Sequence, residues 1–229
     1  MGSGDRGPCR ARGAGGLKTP STAGAGPRIV LAIDTATVPG AVALRVGEET
    51  RSRALDRRAA FRETAPAIQT LRAEAGLDWA DLDAVAVPAG PGSFTGLRVG
   101  AAMAIALARI AKVPLHGVPT LAAVAECFGA PAAARVCATL DARRGRRYAA
   151  LYQRVGGGRW KLLAGPLDAS SDAIEALAAG APVLAHDPRH PAGVAAAICA
   201  LVAADPAAYA LASPEDLELA YARPAVDAR

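Results

Sequence analysis

The chain has 229 residues, of which 52% are hydrophobic and only 4% aromatic, so it can bury a large core built mainly from aliphatic side chains. Its formal net charge is +5, but residues 1–28 carry five bases and one acid, so the remainder is close to neutral and gives no support to a broad nucleic-acid-binding face. No apolar run reaches the about 20 residues that a bilayer span needs, and four isolated cysteines exclude a paired zinc site or a disulfide framework, so we expect a cytoplasmic protein without membrane association.

The composition of the first segment of the chain does not favour folded structure. Residues 1–27 are mainly Gly, Ala, Pro, Ser, Thr and Arg, with too little apolar surface to repay the entropy of ordering. We expect a disordered tail, with a basic arm that touches RNA as the alternative.

The apolar run at 29–33 then predicts a strand buried on both faces. It ends at Asp34, and a second strand at 41–46 completes a hairpin.

The next predicted elements surround a glycine-rich stretch. A helix is predicted at 59–75, ending at Gly76, and a buried strand at 83–88. The sequence AGPGSFTGLRVG at 89–100 then leads into an apolar helix at 97–111, which is half of a βαβ unit. That helix is apolar or small nearly all round, which indicates burial on more than one side by helices of this chain or another. The turn residues of interest are Gly90, Gly92, Ser93, Thr95 and Gly96.

The second part of the chain repeats the first. A strand at 134–140 ends in Asp141, and a short arginine-rich turn leads to another strand at 148–152. The order of strand, aspartate, glycine-containing turn and strand matches the order around Asp34, which predicts two similar α/β halves with a cleft between them. We therefore divide the chain into a tail at 1–27, an N-terminal half at 28–130 and a C-terminal half at 131–229.

The glycine turn does not match the common phosphate or nucleophile motifs. No lysine follows Gly96 as a P-loop requires, and the acidic ribose ligand of a dinucleotide fold is missing about 20 residues on. Ser93 lacks the flanking glycines of a nucleophile elbow. Spacing alone leaves two interpretations open, a structural turn and a contact with an anion or a partner.

Two further groups of residues could carry chemistry. Asp34 and Asp141 at the strand ends could hold a metal–phosphate complex in the cleft, or each could simply cap its turn. The three histidines show no H-x-x-x-H spacing, so we expect no metal site of the metallohydrolase kind. The basic turn is either a solvated loop or a contact to an RNA backbone. Its arginines are Arg143, Arg144, Arg146 and Arg147.

Three stretches together resemble TsaB (YeaZ), a bacterial family of the tRNA threonylcarbamoyladenosine (t6A) system that is related to TsaD and the glycoproteases. They are IVLAIDTA at 29–36, GPGSFTGLRVG at 90–100 and LDARRG at 140–145, in the order that the family has them. YARP at 221–224 adds a less specific match, and the resemblance covers about residues 28–224. It departs at 61–63, where Phe-Arg-Glu replaces the His-x-Glu of many members.

The resemblance implies an α/β fold of the actin/Hsp70 type (ASKHA), with duplicated ribonuclease H-like halves of which the second is reduced. It implies a non-catalytic scaffold or dimerisation subunit that binds a TsaD-like catalytic subunit. With a TsaE-like ATPase, such an assembly transfers threonylcarbamoyl to N6 of adenosine 37 in tRNAs that read ANN codons. The chain itself is then expected to bind no cofactor, while the assembly uses ATP and Mg²⁺, and alone the chain is a monomer or a homodimer.

The resemblance also implies where the partner binds, namely on the two helices at 59–75 and 97–112. The residues of the implied partner face are Ile68, Leu71, Ala75, Leu97, Gly100, Ala101, Ala104 and Ala108.

The alternative function is an independent ATPase or a glycoprotease-like metallopeptidase, for which H-x-x-x-H would be the distinguishing feature.

Overall fold

The structure is a computed structural model of the chain, and it describes residues 26–56, 59–129, 134–187 and 193–221. The predicted tail lies outside the described residues except for residues 26 and 27, and so do residues 222–224 of the late family match.

Strands and helices alternate through most of the described chain. In order they are β1 (Ile29–Asp34), β2 (Ala41–Val46), β3 (Glu49–Ala54), α1 (Ala60–Glu74), β4 (Ala84–Gly90), α2 (Phe94–Ala111), β5 (Leu115–Pro119), α3 (Thr120–Glu126), β6 (Arg135–Arg143), β7 (Arg146–Val155), β8 (Arg159–Ala169), α4 (Ser171–Ala178), β9 (Val183–Ala185) and α5 (Gly193–Ala204).

The strands form two sheets with the same topology. The first has the order β3-β2-β1-β4-β5 and the second the order β8-β7-β6-β9. In each sheet the leading strand, β1 or β6, pairs antiparallel with the next strand and parallel with the fourth. The duplicated α/β fold is thus confirmed, and the second sheet lacks a counterpart of β5, which makes it the reduced half.

Five layers stack through the molecule. Helices α1 and α2 cover one face of the first sheet, α3 and α5 lie between the two sheets, and α4 covers the far face of the second sheet. Alternate side chains of β1 contact the two helix layers on either side of the first sheet. Leu31 and Ile33 face α1 and α2, while Val30 and Ala32 face the central helices. The continuous apolar run at 29–33 is therefore buried on both faces, as predicted.

The central helices join the two halves into one core. α3 follows the first sheet but packs on β6, and α5 follows the second sheet but packs on β1 and β2. Leu121 and Ile198, one from each helix, are fully buried in this shared core. Burial of each such side chain contributes about 1.5–3 kcal/mol. The division at 130/131 stays a prediction, and α5, which belongs to the predicted C-terminal half, packs on strands of the first half.

Two elements run through residues that usually end them. β8 has 11 residues and was not among the predicted elements. Gly165 and Pro166 interrupt its pattern, yet β8 is an edge strand, where a missing backbone donor is tolerated. α1 continues through Pro66, whose exposed position leaves the freed carbonyl oxygen in water.

The last described residues form a C-terminal strap, residues 206–221, that returns to the first half. Leu211 N donates to Leu115 O at 3.0 Å, and Gly117 N donates to Tyr209 O at 3.0 Å, so the strap covers the edge strand β5. Ala220 N then donates to the carbonyl oxygen at position 89, at 2.7 Å, which places the end of the strap beside the glycine turn.

Helix α2 has 18 residues and a mean hydropathy of 1.4, enough by length and composition to cross a membrane. It instead lies in the outer layer and packs Leu97, Ala104 and Ala108 against the first sheet. One side of α2 thus packs on the sheet, as in a helix that covers an α/β core.

Candidate functional site

The glycine motif packs directly on the turn after β1. Thr35 Oγ1 donates to Gly96 O at 2.6 Å, and Ser93 N donates to Ala36 O at 2.9 Å. A Cβ atom on Gly96 would lie 1.9 Å from Thr35 O, and one on Gly100 would lie 2.5 Å from Thr35 Oγ1. Close approach of two backbone segments therefore accounts for these two glycines without a bound group.

The other motif glycines have similar causes. A Cβ on Gly92 would lie 2.9 Å from Ala36, on the same turn. Gly90 has φ +108°, and its Cβ would lie 2.2 Å from Ala220 O of the C-terminal strap. Ser93 caps α2, since its Oγ accepts from the amide at position 96, so the helix begins at Phe94, three residues before the predicted start.

Asp34 is fully buried, and its own turn uses both carboxylate oxygens. Oδ1 accepts from Ala36 N at 2.9 Å and Thr37 N at 3.1 Å, and Oδ2 accepts from Thr37 Oγ1 at 2.5 Å. Burial raises the pKa of the carboxyl to about 6, and these hydrogen bonds offset only part of that effect. Of the two alternatives for Asp34, the capped turn accounts for its burial and its hydrogen bonds, whereas a metal–phosphate complex would need carboxylate oxygens that are open to a ligand.

Asp141 occupies the matching position of the second half but is exposed. Its Oδ1 accepts from Arg143 N at 2.8 Å, which is again a capped turn. Because its counterpart Asp34 is enclosed, the two carboxylates do not form a joint site. The turn-capping interpretation therefore fits both residues.

A cleft of about 270 Å³ opens between these two turns and is lined by both halves. The first half contributes the Thr35 turn, the side chain of Phe61 and the first turn of α2 with Thr95. The second half contributes Arg143, which is the one charged residue among the described residues that line the cleft. This volume is slightly below the about 300–1,000 Å³ typical of ligand pockets, and the described residues that line the cleft include no carboxylate that could hold a metal ion.

The four arginines of the predicted RNA contact point to different surroundings. Arg146 Nε pairs with Asp168 Oδ1 at 2.7 Å, and Arg147 Nε donates to Thr139 Oγ1 at 3.1 Å. Arg143 and Arg144 are exposed, and within the described parts of the chain their guanidinium groups make no hydrogen bond or ion pair. The guanidinium groups of Arg143 and Arg144 are thus the more open of the four, and a contact of this turn with RNA stays a prediction.

The predicted partner face requires a similar correction. Its side chains lie on the inner sides of α1 and α2, where helical periodicity places the most apolar residues against the chain's own sheet. The involvement of the two helices stays a prediction, but a partner would meet their outer sides. The buried residues are Ile68, Leu71, Leu97, Gly100, Ala101, Ala104 and Ala108, and Ala75 is half-buried.

The outer sides carry two exposed rows of mostly small residues. On α1 the row is Ala65, Gln69 and Ala73, and on α2 it is Ala102, Ala106 and Ile110, each with i, i+4 spacing. Ile110 is 66% exposed, which is unusual for an isoleucine. We refer to these six residues as the docking face.

Aromatic side chains are the feature that sequence reasoning missed. All three phenylalanines are exposed, with Phe61 at 70%, Phe94 at 54% and Phe128 at 47%. The Phe94 and Tyr221 rings lie 5.4 Å apart, and Arg98 Cζ lies 4.0 Å from the Phe94 ring centroid. The low number of aromatic residues in the sequence was the signal that could have drawn attention to them. The contact of Tyr221 with Phe94, however, depends on the path of the C-terminal strap.

The described ranges contain no group of three or more His, Cys, Asp or Glu side chains arranged to hold a metal ion. Burial raises the pKa of the Cys199 thiol to about 12, so this cysteine acts as a small core residue rather than a nucleophile. Burial also lowers the pKa of His116, which lies within β5 under the strap.

The chain is similar to known proteins over most of its length. Residues 57–204 match the family described as "TsaD: tRNA N6-adenosine threonylcarbamoyltransferase". The tRNA threonylcarbamoyladenosine biosynthesis protein TsaB of Escherichia coli is 40% identical over 133 residues, which cover 57% of this chain and 58% of the relative. TsaB of Haemophilus influenzae is 40% identical over 121 residues, 52% of this chain and 51% of the relative. The chain thus spans about half the length of the curated relatives it matches.

A solved structure gives wider coverage. YeaZ from Pseudomonas aeruginosa superposes with a TM-score of 0.66 at 26% identity, over 84% of this chain and 99% of that one.

Proposed function

The chain belongs to the TsaD family and, within it, to the TsaB (YeaZ) group, and from this premise we propose that it acts in the synthesis of t6A in tRNA as a scaffold for a TsaD-like catalytic subunit. The docking face is the observation that carries this proposal. The partner covers the two rows on α1 and α2, and the catalytic site for threonylcarbamoyl transfer lies on the partner.

The composition of the docking face supports a helical partner. Alanines at i, i+4 spacing let a second helix approach closely, and Ile110 provides an apolar anchor at the end of the row. Because the inner sides of both helices are already satisfied by the first sheet, the outer rows are the part of this layer that remains open to another chain.

The geometry supports a scaffold better than an independent ATPase or metallopeptidase. Asp34 and Asp141 each cap their own turn, and neither is among the described residues that line the cleft, so the cleft lacks the carboxylates that a nucleotide-bound metal would use. The ATP and Mg²⁺ used by the assembly are therefore assigned to its other subunits, with a TsaE-like ATPase as a second partner. Self-association in the absence of these partners stays a prediction.

The experiment is a binding measurement between purified chain and a purified TsaD-like protein by isothermal titration calorimetry. Ala106→Arg places a long charged side chain in the middle of the α2 row and should weaken association at least about tenfold. Ala176→Arg is the matched control, because Ala176 is an exposed alanine of α4 on the opposite outer layer. Equal affinity of both variants and the parent would contradict the proposed face.

A second measurement tests the pathway. Mass spectrometry of tRNA nucleosides after depletion of the protein should show loss of t6A, restored by the Ala176→Arg variant and not by Ala106→Arg. An unchanged t6A content after depletion would remove the proposed function.

A further inference from the structure

The mouth of the inter-half cleft carries an unusual set of exposed side chains. Phe61 lines the cleft and is 70% exposed, and Phe94, which lies between the lining residues Ser93 and Thr95, is 54% exposed. Tyr221 lies 5.4 Å from the Phe94 ring and is 48% exposed. Although aromatic residues make up only 4% of the chain, one exposed ring thus lines the cleft and a contacting pair of exposed rings lies on the adjoining first turn of α2.

Cationic groups accompany these rings. The Arg98 guanidinium lies over the Phe94 ring at 4.0 Å, and Arg143 enters the cleft from the second half. Arg143 has no ion-pair partner among the described residues, and those of them that line the cleft include no aspartate or glutamate. The hydroxyls of Ser93 and Thr95 add neutral hydrogen-bond donors beside it. The local chemistry therefore suits an anion next to a flat aromatic or heterocyclic ring.

The size of the cleft restricts what that ligand is. At about 270 Å³ it accommodates one anionic group rather than a whole nucleotide with its polyphosphate. The exposed rings lie beside the cleft, so a ligand that uses both must extend over the surface. An unpaired RNA strand has this form, with phosphates for the arginine and bases that stack on aromatic rings.

We infer that the surface formed by Phe61, Phe94, Arg98, Arg143 and Tyr221 binds an unpaired segment of RNA, with a phosphate at Arg143 and bases stacked on the exposed rings. This inference rests on the proposed function insofar as t6A synthesis brings a tRNA to the chain. It assigns the chain a direct contact with nucleic acid in addition to its scaffold role.

The proposed RNA surface and the docking face are separated along helix α2. α2 rises about 1.5 Å per residue, so Ala106 lies about 18 Å along the helix from Phe94. Both sites can therefore be occupied in the same complex. An acidic protein segment is the competing ligand for Arg143, but the three exposed rings favour nucleobases as stacking partners.

The test measures binding of a fluorescein-labelled single-stranded RNA to the full chain by fluorescence anisotropy over a range of salt concentrations. Phe61→Ala should weaken binding about tenfold, the loss expected for one base stack. Arg143→Gln should weaken binding and lower the slope of log K against log salt by about 0.7, as expected for one lost phosphate contact to a single strand.

Two matched controls separate the site from general effects. Phe128→Ala removes an equally rare exposed ring near the end of α3, and Arg135→Gln removes one positive charge at the opposite end of β6. Both should bind RNA like the parent. AMP should not displace the RNA at comparable concentration, since displacement would identify a mononucleotide site instead of an RNA site and overturn the inference.

The outcomes distinguish this inference from the proposed function. Absence of RNA binding by the parent chain, or equal RNA affinity and salt slope in parent, Phe61→Ala and Arg143→Gln, overturns the RNA contact. Association with the TsaD-like protein, measured on the same samples, then shows separately whether the scaffold role stands. Loss of that association in Ala106→Arg with RNA binding retained supports both statements at once.

Discussion

Thr35 donates its hydroxyl hydrogen to the carbonyl oxygen of Gly96 at 2.6 Å, and this bond joins the turn after β1 to the first turn of α2. The same turn closes around the buried carboxyl of Asp34, so the family's first two motifs form one structural unit. The unit fixes where α2 begins and therefore the positions of both the docking face and the cleft mouth.

The first prediction concerns the space at Gly96. A Cβ at this position would lie 1.9 Å from Thr35 O, which belongs to the backbone and cannot rotate away. Gly96→Ala should therefore lower the free energy of unfolding by about 3 kcal/mol or more in urea denaturation. Gly156→Ala is the control, because a Cβ there meets nothing within 4 Å, and it should be within about 0.5 kcal/mol of the parent. Equal stability of the two variants would show that the turns are not held together as described.

The second prediction concerns the Thr35 hydroxyl itself. Thr35→Val keeps the shape but leaves the Gly96 carbonyl without this donor in a largely buried place, so it should cost about 1–3 kcal/mol of unfolding free energy. Thr70→Val removes a similar hydroxyl-to-carbonyl bond on the exposed side of α1 and should cost less than about 0.5 kcal/mol. If the two valine variants unfold at the same urea concentration, the bond between the motifs contributes little.

The sequence predicted the two halves because their strands have strong local signals. The apolar run at 29–33 and its counterpart before Asp141 are recognisable without any tertiary information. The exchange of α3 and α5 between the sheets was not predictable in the same way, because nothing in a helix's own periodicity says which sheet it will cover. The long strand β8 was hidden by Gly165 and Pro166, which are usual signs of a strand end.

Sequence motifs identified some residues of the candidate site but not the contacts that decide their roles. The glycine turn, Asp34 and Arg143 could be identified from motifs, but their roles depend on what lies opposite them. Periodicity identified the apolar sides of α1 and α2, which face the chain's own core, whereas the rows of the docking face are mostly alanine and have no apolar periodicity that would mark them. Tyr221 reaches Phe94 through a strap that has no regular pattern in the sequence.

A third prediction follows from the pKa of Asp34. Burial raises it from the model-peptide value of 3.8 to about 6, so between these two pH values the folded state holds a proton that the unfolded state releases. The stability that this group contributes is therefore fully present below about pH 4 and is lost as the pH rises through 6. The loss amounts to about 3 kcal/mol at 1.36 kcal/mol per pKa unit.

Asp34→Asn isolates this contribution, because the amide oxygen still accepts the backbone hydrogen bonds of the turn but does not titrate. The difference in unfolding free energy between parent and variant, measured by urea denaturation from pH 4 to 7.5, should shift against the parent by about 3 kcal/mol as the pH rises. A difference that is constant over this range would mean that the carboxyl titrates normally in the folded protein.

The last prediction concerns what holds the C-terminal strap on the first half. The side chains of the ion pair between Arg109 and Glu215 are both exposed, and solvent screening leaves such pairs little effect on stability. Leu211 instead packs against the outer core of the first half, and its amide donates to Leu115 O at 3.0 Å. Leu211→Ala should therefore destabilise the protein by about 1–2 kcal/mol, while Glu215→Gln should leave the urea midpoint of unfolding close to that of the parent. Because the strap carries Tyr221 to the cleft mouth, Leu211→Ala should also increase hydrogen exchange at the amide of Ala220, whereas a stronger effect of Glu215→Gln would make the ion pair the main attachment.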